Sequence, residues 1–100
     1  MAIVAVSIAP SDVGGTSLSQ YVAAAERVIR EDGRVTYRLD PMFTTMQGEL
    51  SVCFEIIEKM HEALFAMGCK RVGSVIKIDD RRDKAVQMED KVRSVEEKLK

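Results

Sequence analysis

Few side chains in this 100-residue chain have the chemistry to make or break a bond. There is one histidine, His61, and there are two cysteines, Cys53 and Cys69, sixteen positions apart. A nucleophile needs a base within hydrogen-bond reach, and spacing alone pairs no serine or cysteine with His61. His61 falls beside an apolar helical stripe, next to Met60, Leu64 and Phe65, which is the setting of a boundary residue on a packed helix. The cysteines form neither a CxxC pair nor a metal-ligand spacing, so they read as reduced thiols of a cytoplasmic protein. No metal and no cofactor is expected.

Two polar stretches remain. Gly14-Gly15-Thr16-Ser17 stands where a helix begins, and free amides at a helix start can hold an anion. The lysine of a P-loop is missing, so the stretch is either a turn with an N-cap or a rim that donates hydrogen bonds to a small ligand. Asp79 to Lys84 alternates acids and bases around Arg81-Arg82. It is either a solvated loop or a set of bidentate contacts, through Asp79, Arg81 and Arg82, that knit subunits together.

The elements that must carry these groups follow from periodicity. Ile3 to Ala9 is short, β-branched and apolar on both alternating faces, which predicts a central strand covered on both sides. Ser17 and Gln20 have capping-box spacing. Leu18, Tyr21, Val22, Ala25, Val28 and Ile29 then recur at helical intervals up to Gly33, predicting a helix over about 18–31. Val35 to Leu39 alternates as a half-exposed strand, Asp40-Pro41 marks a turn, and Phe43 to Glu49 predicts its partner. A second helix opens at Ser51, with Cys53, Ile56, Ile57, Met60, Leu64 and Met67 inward, and stops at Gly68. Arg71 to Asp79 predicts a last strand, with Val72, Ser74, Ile76 and Ile78 on one side and Val75 on the other. A final helix is expected over about 84–99, striped by Ala85, Met88, Val92, Val95 and Leu99.

This order, β-α-β-β-α-β plus one helix, is the split-βαβ, ferredoxin-like α+β pattern: an antiparallel sheet with two helices on one face. One domain, residues 1–100, accounts for the length. The other sheet face is then open, yet the first strand carries Ile3 and Ala5 there. Either the C-terminal helix or a second subunit must cover it. A helix of about sixteen residues with so narrow a stripe is marginal alone, so it too must dock, on its own chain or on a partner. A homo-oligomer is expected.

Composition narrows the partners. The formal charge is -1, which gives no field for nucleic acid or anionic lipid. Of five aromatics, only Tyr37 and Phe43 fall in strands, and neither strand is expected to be central, which argues against an RNA-stacking sheet. No stretch reaches the twenty apolar residues of a membrane span, and the start lacks the basic residue of a secretory signal. Acylphosphatase chemistry on this fold needs an asparagine, and the chain has none.

Four segments together resemble the thiamine-binding, YkoF-like proteins of the UPF0045 (DUF77) group. They are Thr16-Ser17-Leu18-Ser19-Gln20-Tyr21-Val22; Pro41-Met42 with Thr44 and Gly48; His61-Glu62-Ala63-Leu64-Phe65 with Met67-Gly68; and Lys70-Arg71-Val72 through Ile76 to Lys84. The resemblance covers nearly the whole chain. It implies a ferredoxin-like fold, dimers assembled into tetramers, and, for some members, binding of thiamine or its hydroxymethylpyrimidine moiety without turnover. On this chain it points to Thr16, Ser17, Thr44 and Gln47 as ligand-binding residues, with Met46, Phe43 or Tyr37 as a wall. Phe43 stands where the family tends to have glycine, and Gln47 where it tends to have glutamate. Phe43 would re-wall the slot, and Gln47 lacks the charge that suits a cationic ring. The readings set against this one are an ACT-like regulatory oligomer for another metabolite and an enzyme with a site between subunits.

Overall fold

Four strands form one antiparallel sheet in the order β2-β3-β1-β4. The computed structural model describes residues 1–11 and 18–100. The elements run β1 (Ala2–Pro10), α1 (Ser19–Asp32), β2 (Thr36–Leu39), β3 (Thr44–Gly48), α2 (Leu50–Ala66), β4 (Val72–Asp80) and α3 (Met88–Lys98). This is the split-βαβ arrangement with one added helix, as the periodicities predict.

Alternation sorts each strand between two faces. Val4 pairs with Met46 on one side and Ile78 on the other, and Val6 pairs with Thr44 and Ile76. Directly opposed residues share a face, so Val4, Val6, Met46 and Thr44 look toward the helices. Ile29 of α1 and Cys53, Ile56, Met60 and Leu64 of α2 pack on them, each no more than 1% exposed. Fully burying a side chain of this size contributes about 1.5–3 kcal/mol, so this helix–sheet layer is the main source of stability. Gly33 and Gly68 end the two helices with φ of 76° and 96°, a left-handed backbone that a Cβ disfavours.

Ile3, Ala5 and Ser7 project from the other face, together with Thr45, Gln47, Val75, Lys77 and Asp79. Val75 is 62% exposed, so the chain itself leaves part of this face uncovered.

Two helix starts and one strand position differ from expectation. α1 begins at Ser19 after Leu18, whose carbonyl accepts from the Tyr21 and Val22 amides. The Ser17 hydroxyl of the expected capping box lies outside the described residues. α3 begins at Met88 rather than near Lys84, because the Asp90 carboxylate accepts the Gln87 amide at 3.0 Å and sets the first turn there. Finally β3, which follows Phe43, is an inner strand between β2 and β1 rather than a peripheral one. The crossover through α2 takes β4 to the far edge and leaves β3 inside. The reason given against RNA stacking therefore rests on charge and aromatic count, not on strand position.

Candidate ligand-binding cleft

An open cleft of about 850 Å³ lies between α1, the β2–β3 turn and the Val6–Ile8 end of β1. α1 supplies Ser19, Val22, Ala23, Glu26, Arg27 and Arg30 to its wall. These recur at intervals of three and four, so they form one face of the helix, distinct from the core-facing Ile29, while the buried Ala25 closes the floor of the cleft between the two faces. The opposite wall is Leu39 to Thr44, where Asp40, Pro41 and Met42 turn the chain and the Asp40 amide donates to the Phe43 carbonyl at 2.9 Å.

The polar centre of the cleft is Glu26. The Thr44 hydroxyl donates to its Oε1. Its Oε2 is shut off from solvent and has no hydrogen-bond partner among the described residues. A buried carboxylate oxygen without a donor costs about 1–3 kcal/mol or more, a cost that a donor would relieve once the Glu26 side chain, part of the cleft wall, turned this oxygen toward the opening. The other carboxylate in the wall, Asp40, is already engaged by the Arg38 guanidinium at 3.3 Å.

The residues singled out from the sequence do not converge on one point. Thr44 is buried in the cleft beside Glu26. Gln47, three positions on, faces the opposite side of the sheet. There its Oε1 accepts the Met88 amide at 2.7 Å and its Nε2 donates to Gln87. An odd spacing on a strand puts two side chains on opposite faces, so no single slot uses both, and Gln47 anchors the start of α3. Thr16 and Ser17 lie outside the described residues; Ser19, just after them, lines the cleft. Of the three wall candidates, Phe43 lines the cleft, whereas Met46 is wholly buried in the core and Tyr37 packs against that core.

Asp79, Arg81 and Arg82 make contacts within the chain. Arg81 pairs with Asp83 at 2.6 Å and Arg82 with Asp80 at 2.8 Å. Lys91 of α3 pairs with Asp79 and ties the helix to β4. Arg81 and Arg82 hold the carboxyls of Asp83 and Asp80 below the usual carboxylate range by donating to them.

Neither thiol nor imidazole reaches the cleft. Cys53 is fully buried, and burial pushes its thiol up, away from the reactive thiolate. His61 Nε2 and Ser74 Oγ share a hydrogen bond of 3.0 Å between α2 and β4. No carboxylate among the described residues hydrogen-bonds the other ring nitrogen, so the pair lacks the orienting group of a triad. Among the described residues no three His, Cys, Asp or Glu side chains cluster to hold a metal, and no helix is long and apolar enough to cross a membrane.

Glu26 was not legible as a site residue. Its one signal is a carboxylate four positions from both Val22 and Arg30, directly after Ala23-Ala24-Ala25.

Comparison with known proteins places this architecture. Residues 4–96 match the profile of a family described as thiamine-binding protein. The chain is 42% identical over 102 residues to a UPF0045 protein of Bacillus subtilis, covering 99% of this chain and 98% of that one. A UPF0045 protein of Staphylococcus xylosus is 41% identical over 102 residues, covering 99% and 95%. Among solved structures, a hypothetical protein of Methanocaldococcus jannascii superposes with a TM-score of 0.85 at 31% identity, covering 96% and 97%. A DUF77 domain of Bacillus cereus superposes with a TM-score of 0.80 at 27% identity, covering 91% and 86%. The matched residues run from β1 into α3 and take in both covering helices, and the chain therefore belongs to the thiamine-binding protein family, the UPF0045 or DUF77 group.

Proposed function

We propose that this protein binds thiamine, or the hydroxymethylpyrimidine part of it, without turning it over, and serves as a sensor, buffer or carrier. The observation that carries the reading is the unpartnered Oε2 of Glu26, a residue of the cleft wall whose side chain need only turn to offer it to a ligand. An aminopyrimidine presents an exocyclic amine beside a ring nitrogen, and protonation makes that edge a cationic double donor. A carboxylate meets such an edge with two parallel, charge-assisted hydrogen bonds. The Thr44 hydroxyl holds the carboxylate in place by donating to Oε1. Val22, Ala23, Pro41 and Phe43 supply the flat apolar walls that a ring needs. Thr16 and Ser17, which precede Leu18 and the cleft-lining Ser19 in sequence, are assigned to the rim. Glu26 thereby supplies the negative charge that Gln47 lacks. The absence of His61 and Cys53 from the cleft lining supports binding over catalysis.

The working unit in this reading is a homo-oligomer, a dimer of dimers in the cytoplasm. Val92, Val95 and Leu99 of α3 are 39%, 59% and 79% exposed, and Val75 on the open sheet face is bare as well. A second copy covers these surfaces, and Asp79, Arg81 and Arg82 stand at that boundary.

Titration calorimetry tests the ligand. Thiamine and free hydroxymethylpyrimidine are expected to release heat and raise the melting temperature. Glu26→Gln, which keeps the acceptor for Thr44 and loses the charge, is expected to weaken binding by on the order of tenfold or more. Wild-type affinity in that variant, or no binding of either compound to the native protein, overturns the assignment.

A further inference from the structure

The cleft holds more unmatched charge than an aminopyrimidine satisfies. Arg27 and Arg30 also line it, both are exposed, and among the described residues neither has an ion-pair or hydrogen-bond partner. Elsewhere Arg34, Arg38, Arg81, Arg82 and Arg93 are each paired with a carboxylate. Glu26 is correctly spaced to neutralise Arg30 along the helix, but its carboxylate turns inward to Thr44 instead. The result is a site with two poles on one side of α1: an unpartnered carboxylate oxygen of Glu26, and two guanidiniums without a partner among the described residues, on Arg27, the next residue, and on Arg30, about one helical turn, ~5–6 Å, further along.

We propose that the ligand is the phosphorylated form of the aminopyrimidine compound, with its amine edge on Glu26 and a phosphate monoester on Arg27 and Arg30. This rests on the reading above and adds the anion to it. A single guanidinium saturates a carboxylate with a bidentate pair. Two guanidiniums three positions apart suit a group with three terminal oxygens and close to two negative charges, which is a phosphate monoester. The cleft, at about 850 Å³, has room for a side arm beyond one ring.

The test is calorimetry on the full chain with three probes: free hydroxymethylpyrimidine, its monophosphate and inorganic phosphate. The monophosphate is expected to bind on the order of tenfold tighter than the free base at low salt, with the advantage shrinking as salt is added. In the double variant Arg27→Gln/Arg30→Gln the ratio of the two affinities is expected to fall to about one. In Arg93→Gln, which removes a charge on α3 away from the cleft, the ratio is expected to stay as in the native protein. Equal affinity for base and monophosphate, a ratio unmoved by the double variant, or inorganic phosphate binding as tightly as the monophosphate each overturns the proposal. Tight binding of the free base without a phosphate preference overturns it while leaving the parent assignment standing; failure of base and monophosphate alike overturns both.

Discussion

Gly48 shows how closely single residues are fitted here. It ends β3 with its Cα facing Val35, and a Cβ added there would stand 2.7 Å from Val35 Cγ1. Valine is stiff about its first side-chain torsion and Val35 is buried, so the clash has no cheap escape. Gly48→Ala is expected to cost about 1–3 kcal/mol, read as a lower urea midpoint. Adding Val35→Ala should recover part of that loss, whereas simple additivity of the two substitutions would refute the close contact. Asp32 is the second case. Arg34 donates to its carboxylate at 2.8 and 2.9 Å, and this holds its pKa at about 2 against an ordinary value of 3.8. A depressed native pKa means that the unfolded chain binds the proton more readily. The contribution is therefore complete above about pH 4 and is lost as pH falls toward 2. Denaturation midpoints measured across that window should drop with acid, and Arg34→Gln should flatten the slope. An unchanged slope would show that the pair carries no linkage.

Helices and strands here differ in how they are held. α1 and α2 each bury one face, through Ala24, Ala25 and Ile29 and through Cys53, Ile56, Ile57, Met60 and Leu64, and Arg34 adds a tie from the end of α1 to Glu55 of α2 at 2.9 Å. α3 is held at its beginning: Met88 is buried, its amide rests on Gln47, and Lys91 reaches Asp79. Beyond that turn every residue is exposed. Gln47→Leu should strand the Met88 amide and release the helix, a loss of about 1–3 kcal/mol confined to that element. Hydrogen exchange should accelerate across 88–98 while amides of β1 and β3 keep their protection. Faster exchange throughout would contradict an independent anchor. Residue periodicity was enough to place six of the seven elements within a residue or two. The start of α3 was misjudged by four positions, because Ala85 continues the apolar stripe while the local hydrogen bonds of Gln87 and Asp90 decide where the helix begins.

At the scale of the whole molecule, one sheet face is covered and the other is not. Val92→Glu/Val95→Glu places charge on the uncovered α3 stripe without touching the core. If sister copies meet there, sedimentation should show the native protein as an oligomer and the variant as a smaller species with an unchanged melting profile of the core. An assembly that persists in the variant would move the interface elsewhere.

Alternation and helical spacing determined the order of elements, the split-βαβ topology and the core, because burial acts on every residue of an element and repeats at its period. The cleft depended on what stands opposite what. Thr44 and Gln47 are neighbours in sequence and belong to opposite faces of the sheet, while Glu26 and Thr44 are eighteen positions apart and share a hydrogen bond. Tertiary packing alone brought that pair together and left one carboxylate oxygen without a donor, and such pairings have no period for a sequence to display.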